Sequence, residues 1–318
     1  MLNVDDVCIV VLCFGDRLDS LRKVLDAACR EKPGRILLVE NCISDRVRTE
    51  ISKQIKGKGG LLVRVSSDNN KNLGSAGGYA LGIQHAMHTM AQSLYWLLDD
   101  DNIPAAGSLN SLMEHWNNSP DNVNLALSSY RQRNPADTQV KQIPVLPRPG
   151  SFMRFHLLNL FVKRKPCIAA SIPYAAYGGF FIHRKLVEKI KLPDARFFLY
   201  QDDLEWSYRI NFVGSGRIEK CLGSIITDSE PSWWSSGKYT FISRVVTADR
   251  DRIFYDIRNR VFFVRSNFPG NVFYYFINKY FYLFVTLLVC ASTLRVGRFF
   301  LILKAVSDGE KGRLGKFD

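Results

Sequence analysis

Apolar runs of strand length alternate with amphipathic helical patterns through the N-terminal third of the chain. The first apolar run extends from Val7 to Cys13, and a helical pattern from Leu18 to Ala28 follows it. The alternation continues with predicted strands at 35–39, 61–65 and 94–98 and predicted helices at 45–55 and 76–91. Elements in this order form a mainly parallel sheet with helices on its faces. The pattern therefore predicts an α/β sandwich.

Polar groups follow several of these predicted strands. Glu40, the Asp68–Asn72 loop and Asp99 each stand where an apolar run ends. In open α/β sheets, ligands bind beyond the carboxyl ends of the strands. We therefore expect these groups to converge on one crevice.

The remainder of the chain is patterned less regularly. Residues 130–172 form a long connection rich in proline and basic residues, and a connection of this length inside a compact domain is usually functional or mobile. After it come an apolar run at 178–182, a short helix from 185, a helix over 202–213, a strand pair over 217–227, a helix over 250–267 and an apolar segment over 271–294. We predict an α/β domain over 1–245 and a helical region over 246–318.

The net charge of +13 suggests an anionic partner, namely nucleic acid, lipid headgroups or a phosphorylated substrate. From Arg131 to Lys165 there are eight basic residues and one acidic residue, and the segment from Arg295 to Asp318 is also basic. Both segments are interleaved with large apolar side chains. This mixture is typical of a membrane-surface segment and disfavours a nucleic-acid arm.

The apolar segment over 271–294 decides what kind of membrane contact to expect. Its longest uncharged stretch, Tyr280 to Leu294, has 15 residues, whereas a spanning helix needs about 20. We therefore expect peripheral helices that lie on the membrane, with a basic face that continues from Arg295. The alternative is a spanning helix that includes Asn278 and Lys279.

Three consecutive aspartates, Asp99, Asp100 and Asp101, end the apolar run Leu94–Leu98. Carboxylates at the end of a buried strand repel one another, and a divalent cation relieves this repulsion. Alternate residues of an extended chain point the same way, so Asp99 and Asp101 are placed to face one ion. Such an ion can stabilise a diphosphate leaving group. The alternative is a solvated acidic turn before Pro104.

A glycine-rich turn from Asn72 to Gly78 lies between a predicted strand and a predicted helix. Its glycines permit close backbone approach, and the helix N-terminus that follows favours an anion. The turn lacks the Gly-Lys-Ser/Thr sequence of a Walker loop. The alternative is a turn that only lets the helix pack against the sheet.

Two further carboxylate positions carry candidate chemistry. Asp202 and Asp203 begin a predicted helix, where a single N-cap would suffice. Two adjacent carboxylates that face a cleft strengthen the affinity of one for a proton, as a general base requires. Asp228, near Trp233 and Trp234, is either a turn aspartate or a third metal ligand. The tryptophans are either core residues or an apolar platform for a sugar.

In this order, the motifs resemble those of the family-two inverting glycosyltransferases with the GT-A fold. The likeness is greatest to bacterial galactofuranosyl and rhamnosyl transferases of cell-surface polysaccharides, and it extends from about Val7 to Asn267, with a family-like ending at Ser307–Gly315. The motifs that carry it are Val39–Asn41, Asn72–Gly78, Leu97–Pro104, Gly178–Phe181, Phe198–Arg209 and Tyr255–Asn259.

The resemblance implies a role for each motif residue. It implies catalytic carboxylates at Asp203, as base, and at Asp202, as second choice. The implied donor-binding residues are Arg17, Glu40, Asn72, Gly74, Asp99 and Asp100; the implied ligands of Mn²⁺ or Mg²⁺ are Asp99, Asp101 and Asp228; the implied acceptor residues are Trp233, Trp234, Gly178 and Gly179. The chain departs from the family at Glu40, where aspartate is more usual, and at Asp228, where galactofuranosyl members commonly have histidine.

The implied function is transfer of a sugar from a nucleotide sugar, with UDP-galactofuranose first and dTDP-rhamnose as the alternative. The acceptor would be a lipid-linked glycan of O-antigen or another cell-surface polysaccharide, at the cytoplasmic face of the inner membrane. A second hypothesis is a non-catalytic, membrane-bound assembly protein with a degenerate transferase domain. The intact carboxylate sets argue against it.

Overall fold

The computed structural model describes residues 1–55, 60–132, 146–160, 171–212, 215–230 and 245–317. The chain divides into two compact units. The first comprises Met1–Lys141, Ala169–Ala195 and Asp203–Ser232, and the second comprises Gln142–Ile168, Arg196–Asp202 and Trp233–Asp318. The second unit thus includes two segments from the middle of the chain besides the C-terminal region. The domain boundary at residue 245 stays a prediction.

One eight-stranded sheet organises the described part of the first unit. Its strands are β1 (Val7–Gly15), β2 (Arg35–Ile43), β3 (Leu62–Ser66), β4 (Leu94–Asp99), β5 (Asn102–Pro104), β6 (Leu125–Gln132), β7 (Phe180–His183) and β8 (Arg217–Asp228). Their order is β3-β2-β1-β4-β7-β6-β8-β5. Strands β1 to β4 pair in parallel, as do β6 and β8, whereas β7 and β5 are antiparallel to their neighbours. The predicted α/β fold with a mainly parallel sheet is confirmed.

The helices around the sheet are α1 (Leu18–Arg30), α2 (Asp45–Ile55), α3 (Gly74–Thr89), α4 (Ser108–Asn118), α5 (Arg184–Ile190) and α6 (Asp202–Phe212).

The first strand shows why the apolar runs are continuous. Successive side chains of β1 point to opposite faces. Ile9 joins the core cluster that contains Leu21 of α1. Val10 lies against α3, where a Cβ added at Gly82 would be 3.0 Å from its Cγ1.

Most predicted elements are present within a few residues of their predicted bounds, but one prediction is wrong. The segment predicted as a short strand pair over 217–227 is one long strand, β8, paired in parallel with β6. The pairing register shifts between Ser129 and Tyr130, where β8 has extra residues around Gly223. A bulge in one strand therefore stands where a break between two strands was predicted. Helix α4 and strands β5 and β6 were not predicted.

The second unit is helical in its described part. It contains α7 (Arg250–Asn267), α8 (Val272–Ser292) and α9 (Val296–Glu310). Helix α8 is long and apolar enough to cross a membrane by length and composition, and 17% of its most apolar window is buried. Asn278 and Lys279 have partners inside the unit, because Asn278 donates to the Gly150 carbonyl at 2.9 Å and Lys279 pairs with Glu310 at 2.7 Å.

Candidate active site

The three aspartates diverge at the carboxyl end of β4. The hydroxyl of Tyr79, from α3, donates to Asp99 at 2.7 Å. Asp100 is buried, and it accepts from the Phe14 backbone N–H at 3.0 Å and from Arg17 at 3.0 Å. Asp100 therefore holds the end of β1 and orients Arg17 beside the site.

Asn102 connects the aspartates to β8. It pairs with Asp228 in the antiparallel ladder between β5 and β8. Its side-chain amide donates to Asp101 at 3.0 Å and to Asp228 at 2.9 Å. Two residues far apart in sequence thus present their carboxylates to one amide nitrogen. We call Asp99, Asp100, Asp101 and Asp228 the carboxylate cluster.

Two arginines partly neutralise the carboxylate cluster. The guanidinium of Arg17 lies 3.0 Å from Asp100 and 3.6 Å from Asp101. Arg131, at the end of β6, lies 3.7 Å from Asp99 and 3.4 Å from Asp228. In the sequence, Arg131 stands out only as the first residue of a basic segment. Strand β6 instead brings it into the site.

The carboxylate cluster has an excess of negative charge. Burial and the neighbouring carboxylates raise the pKa values of two of its members. Burial, followed by the charges of Asp99, Asp100 and Asp228, raises the pKa of Asp101 to about 7. Burial raises the pKa of Asp100 to about 6, although the Phe14 N–H and Arg17 oppose this. With four carboxylates and two guanidinium groups, the fully ionised cluster has two uncompensated negative charges.

These residues fit a hard divalent cation. Carboxylate oxygens are the ligands that Mg²⁺ and Mn²⁺ favour, and the uncompensated charge matches one such ion. Among the described residues, no group of three or more Asp, Glu, His or Cys side chains already has the arrangement of a metal site. The fit therefore rests on donor chemistry and charge, with Asp99, Asp101 and Asp228 as the residues that would hold the ion.

Gly178 lies directly against the cluster. A Cβ at this position would be 2.2 Å from the Arg131 Nη2, 2.2 Å from the Asn102 Oδ1 and 3.0 Å from the Asp99 Oδ2. No side chain can be added there unless these groups move. Gly179 has a φ of +85° and donates its N–H to the Leu97 carbonyl at 2.8 Å, which joins β7 to β4.

The glycine-rich turn is fixed from β2. The Asn41 side chain accepts from the Leu73 N–H at 2.8 Å and donates to the Gly74 carbonyl at 2.9 Å. Asn72 accepts from the Gly74 N–H at 2.9 Å, and Gly74 has a φ of +69°. Gly78 admits the Leu12 side chain, whose Cδ1 would be 2.5 Å from an added Cβ. Gly78 and Gly82 thus serve helix packing, whereas Asn72 and Gly74 shape the start of α3.

Comparison with known proteins decides the family. The profile of "Glycosyl transferase family 2" matches residues 8–191, more than half of the chain. The chain belongs to glycosyl transferase family 2. It is 28% identical over 214 residues to "Galactofuranosyltransferase GlfT1" of Mycolicibacterium smegmatis, covering 66% of this chain and 67% of that protein.

A comparison with solved structures identifies the fold. The family 2 transferase matches the crystal structure of GalNAc-T7 with UDP, GalNAc and Mn²⁺ at a TM-score of 0.59 and 14% identity. The match covers 81% of this chain and 48% of the other, so the chain spans about half the length of that protein. At this identity the likeness shows the fold alone, which is GT-A.

Glu40 of this family 2 transferase is fully buried, two strands away from β4. Its carboxylate lies 2.8 Å from the Arg64 Nε and 3.4 Å from the Arg48 Nε, and it accepts from the Ser66 hydroxyl at 2.6 Å. These contacts fix the ends of β2 and β3. The contact of Glu40 with the nucleotide stays a prediction. Such a contact would require Arg48 and Arg64 to move.

The two candidate bases differ in exposure. Asp202 is buried, with 3% of its surface exposed, whereas Asp203 is half-buried. Asp203 accepts from the Leu204 N–H at 2.8 Å. Ser207, one turn along α6, bonds both backbone groups of Ala175 at 2.9 Å, which ties α6 to the segment before Gly178. Only Asp203 has the access to solvent that a base for an incoming acceptor needs. The predicted acceptor residues Trp233 and Trp234 lie outside the described residues.

We propose that the carboxylate cluster binds Mn²⁺ together with a nucleoside diphosphate. Replacing Gly178 by alanine should then weaken Mn²⁺-dependent UDP binding by about tenfold or more, the scale found when outer partners of metal ligands are displaced. The reason is that the new methyl group would push Arg131 and Asn102 away from the carboxylate cluster. Titration calorimetry with UDP and Mn²⁺ measures this. Gly297→Ala is the matched control, because a Cβ there meets nothing within 4 Å. Equal affinities for the two variants would contradict the assignment.

Proposed function

We propose that this family 2 glycosyltransferase is a metal-dependent inverting enzyme that transfers a sugar from a nucleoside-diphosphate sugar. The observation that carries the proposal is the carboxylate cluster at the carboxyl end of β4, with two uncompensated charges and two arginines beside it. A bound divalent cation would offset the charge of the departing diphosphate. The residues proposed to bind the donor include Arg17, Asn72 and Gly74.

In the proposed mechanism, the chain's own residues orient the donor and remove a proton. Asp203 takes the proton from the acceptor hydroxyl as that oxygen attacks the anomeric carbon, and the bond to the diphosphate breaks on the opposite side. One such displacement inverts the anomeric configuration. Arg17 and Arg131 add positive charge near the leaving group.

The donor we propose is UDP-galactofuranose, and dTDP-rhamnose is the alternative. The support is the 28% identity to a protein named as a galactofuranosyltransferase. A panel of nucleotide sugars, each with Mn²⁺, with Mg²⁺ and with EDTA, tests the proposal by release of the nucleoside diphosphate. Metal-dependent release from one donor supports it. Absence of turnover with every donor would favour the non-catalytic assembly protein.

The acceptor we propose is a lipid-linked glycan of O-antigen or another cell-surface polysaccharide, met at the cytoplasmic face of the inner membrane. The support for the membrane location is an exposed apolar face of α8, where Phe276, Phe284 and Leu288 are 41%, 57% and 52% exposed. The net charge of +13 favours an anionic lipid surface. An apolar face together with basic charge is the pair of signals that firm peripheral attachment needs.

Changing Phe276, Phe284 and Leu288 together to serine should release the protein from vesicles that contain anionic lipid. Co-sedimentation measures this, and Phe212→Ser is the control, since Phe212 is 62% exposed in the first unit. High salt should release the native protein only in part, because salt does not screen the apolar contact. Complete release by salt would mean a purely electrostatic contact. Retention in alkaline carbonate would mean that α8 spans the bilayer.

A further inference from the structure

The turn that precedes the proposed base has a strained backbone. Phe198, Tyr200 and Gln201 have φ values of +63°, +66° and +64°. None of them is glycine or asparagine, the residues that adopt this left-handed region readily. Such strain persists only where the surroundings impose it, and it concentrates at functional sites. We call residues 197–201 the left-handed turn; Asp203 is two residues beyond it.

A buried asparagine of α7 holds the left-handed turn. The side-chain nitrogen of Asn259 donates to the carbonyls of Phe197 at 2.8 Å, Leu199 at 2.8 Å and Tyr200 at 2.9 Å. Asn259 is fully buried. The two N–H groups of one amide thus serve three carbonyls of the left-handed turn.

Arg258 orients that asparagine. Its Nε donates to the Asn259 Oδ1 at 2.9 Å, its Nη2 donates to the Phe197 carbonyl at 3.1 Å and its Nη1 donates to the Gly315 carbonyl at 2.6 Å. Only 2% of Arg258 is exposed. Burial of a guanidinium is costly, and its hydrogen bonds to main-chain carbonyls offset that cost. Two of the three contacts of this buried charge, those to Asn259 and Phe197, thus hold the left-handed turn.

We propose that Asn259, oriented by Arg258, is a positioning residue that imposes the left-handed turn and thereby sets the place of the Asp203 carboxylate. This inference rests on the proposed role of Asp203 as base. Without the amide, Tyr200 and Gln201 would relax to negative φ, and a large rotation at either residue displaces the start of α6. A displacement of about 1 Å can cost on the order of 100-fold in rate.

The test is a double-mutant cycle between Asn259→Ala and Asp203→Asn, measured as kcat and KM for transfer by the full chain. Asn259→Ala alone should lower kcat by about 30- to 100-fold and leave the KM for the donor within about threefold. In the Asp203→Asn background, Asn259→Ala should lower kcat by less than about a further threefold, because the carboxylate that Asn259 positions is already lost. Equal losses in both backgrounds would overturn the proposal.

The matched control is Asn278→Ala, another buried asparagine of the second unit, which donates to the Gly150 carbonyl and accepts from the Leu157 N–H, both at 2.9 Å. It should lower the melting temperature without changing kcat more than about twofold, and an equal loss of kcat would mean that Asn259 acts only on stability. If Asn259→Ala does not fold, Arg258→Lys replaces it in the same cycle.

A rescue experiment tests whether the positive φ of the turn is what kcat depends on. In the Asn259→Ala background, Tyr200→Gly should restore about fivefold or more in kcat, whereas Tyr200→Ala should not, because glycine adopts positive φ readily and alanine does not. Equal effects of glycine and alanine would overturn the proposal. A fully active Asp203→Asn single variant would instead refute the base itself, so the two failures are distinguishable.

Discussion

Replacing Asp101 by asparagine should lower the transfer rate by about 100-fold or more and shift the Mn²⁺ dependence to higher concentration. The amide keeps the size of the side chain and can still accept from Asn102, which lies 3.0 Å away. It removes one of the charges that would hold the cation. Rates measured over a range of Mn²⁺ concentrations, with Asp16→Asn as an exposed control, give the result.

Thermal unfolding separates this loss from misfolding. The pKa of Asp101 is raised to about 7, chiefly by burial, so the folded state holds the proton more tightly than the unfolded state. Stability is therefore lost as the pH rises from the unfolded pKa, about 4, towards 7. Asparagine carries no such cost, and at pH 8 in EDTA the variant should melt at or above the wild-type temperature. Wild-type activity in Asp101→Asn would refute the metal site.

The fold was predictable where local pattern and tertiary environment agree. Strands β1, β2 and β4 are buried on both faces, so their sequences are continuous apolar runs that stand out from the helices between them. Strand β8 pairs with β6 across a bulge, and only its distant partner shows that the glycine at 223 interrupts no strand. Local pattern does not carry that information.

The candidate site was predictable in part for the same reason. The three aspartates and Asp228 stand at strand ends that the sequence displays. No role was predicted for Arg131 or Asn102, and Gly178 was predicted only as an acceptor residue, because their positions beside the carboxylate cluster depend on contacts between β4, β5, β6 and the segment before β7. The positive charge of Arg131 was instead explained by the basic segment that begins with it. The role of Asn102 could have been suspected from the sequence, since Asn102 directly follows the three aspartates.

Replacing Asp203 by asparagine should lower turnover by about 100-fold or more, the usual scale for loss of a general base. Asparagine is isosteric, and its oxygen can still accept from the Leu204 N–H at 2.8 Å, so the start of α6 should persist. The UDP affinity in the presence of Mn²⁺ should stay within about threefold, because the proposed base acts on the acceptor and not on the donor. Steady-state kinetics and UDP titration measure the two quantities.

Two neighbours on α6 provide the comparison for Asp203. Glu205→Gln removes the ion pair with Arg209, at 2.5 Å, and should lower the melting temperature while turnover changes little. Asp202→Asn should also cost less than Asp203→Asn, since Asp202 is buried away from an incoming acceptor. A larger loss in Asp202→Asn would transfer the role of base to Asp202. A loss of UDP affinity in Asp203→Asn would place that carboxylate at the donor, and the inverting displacement would then need another base.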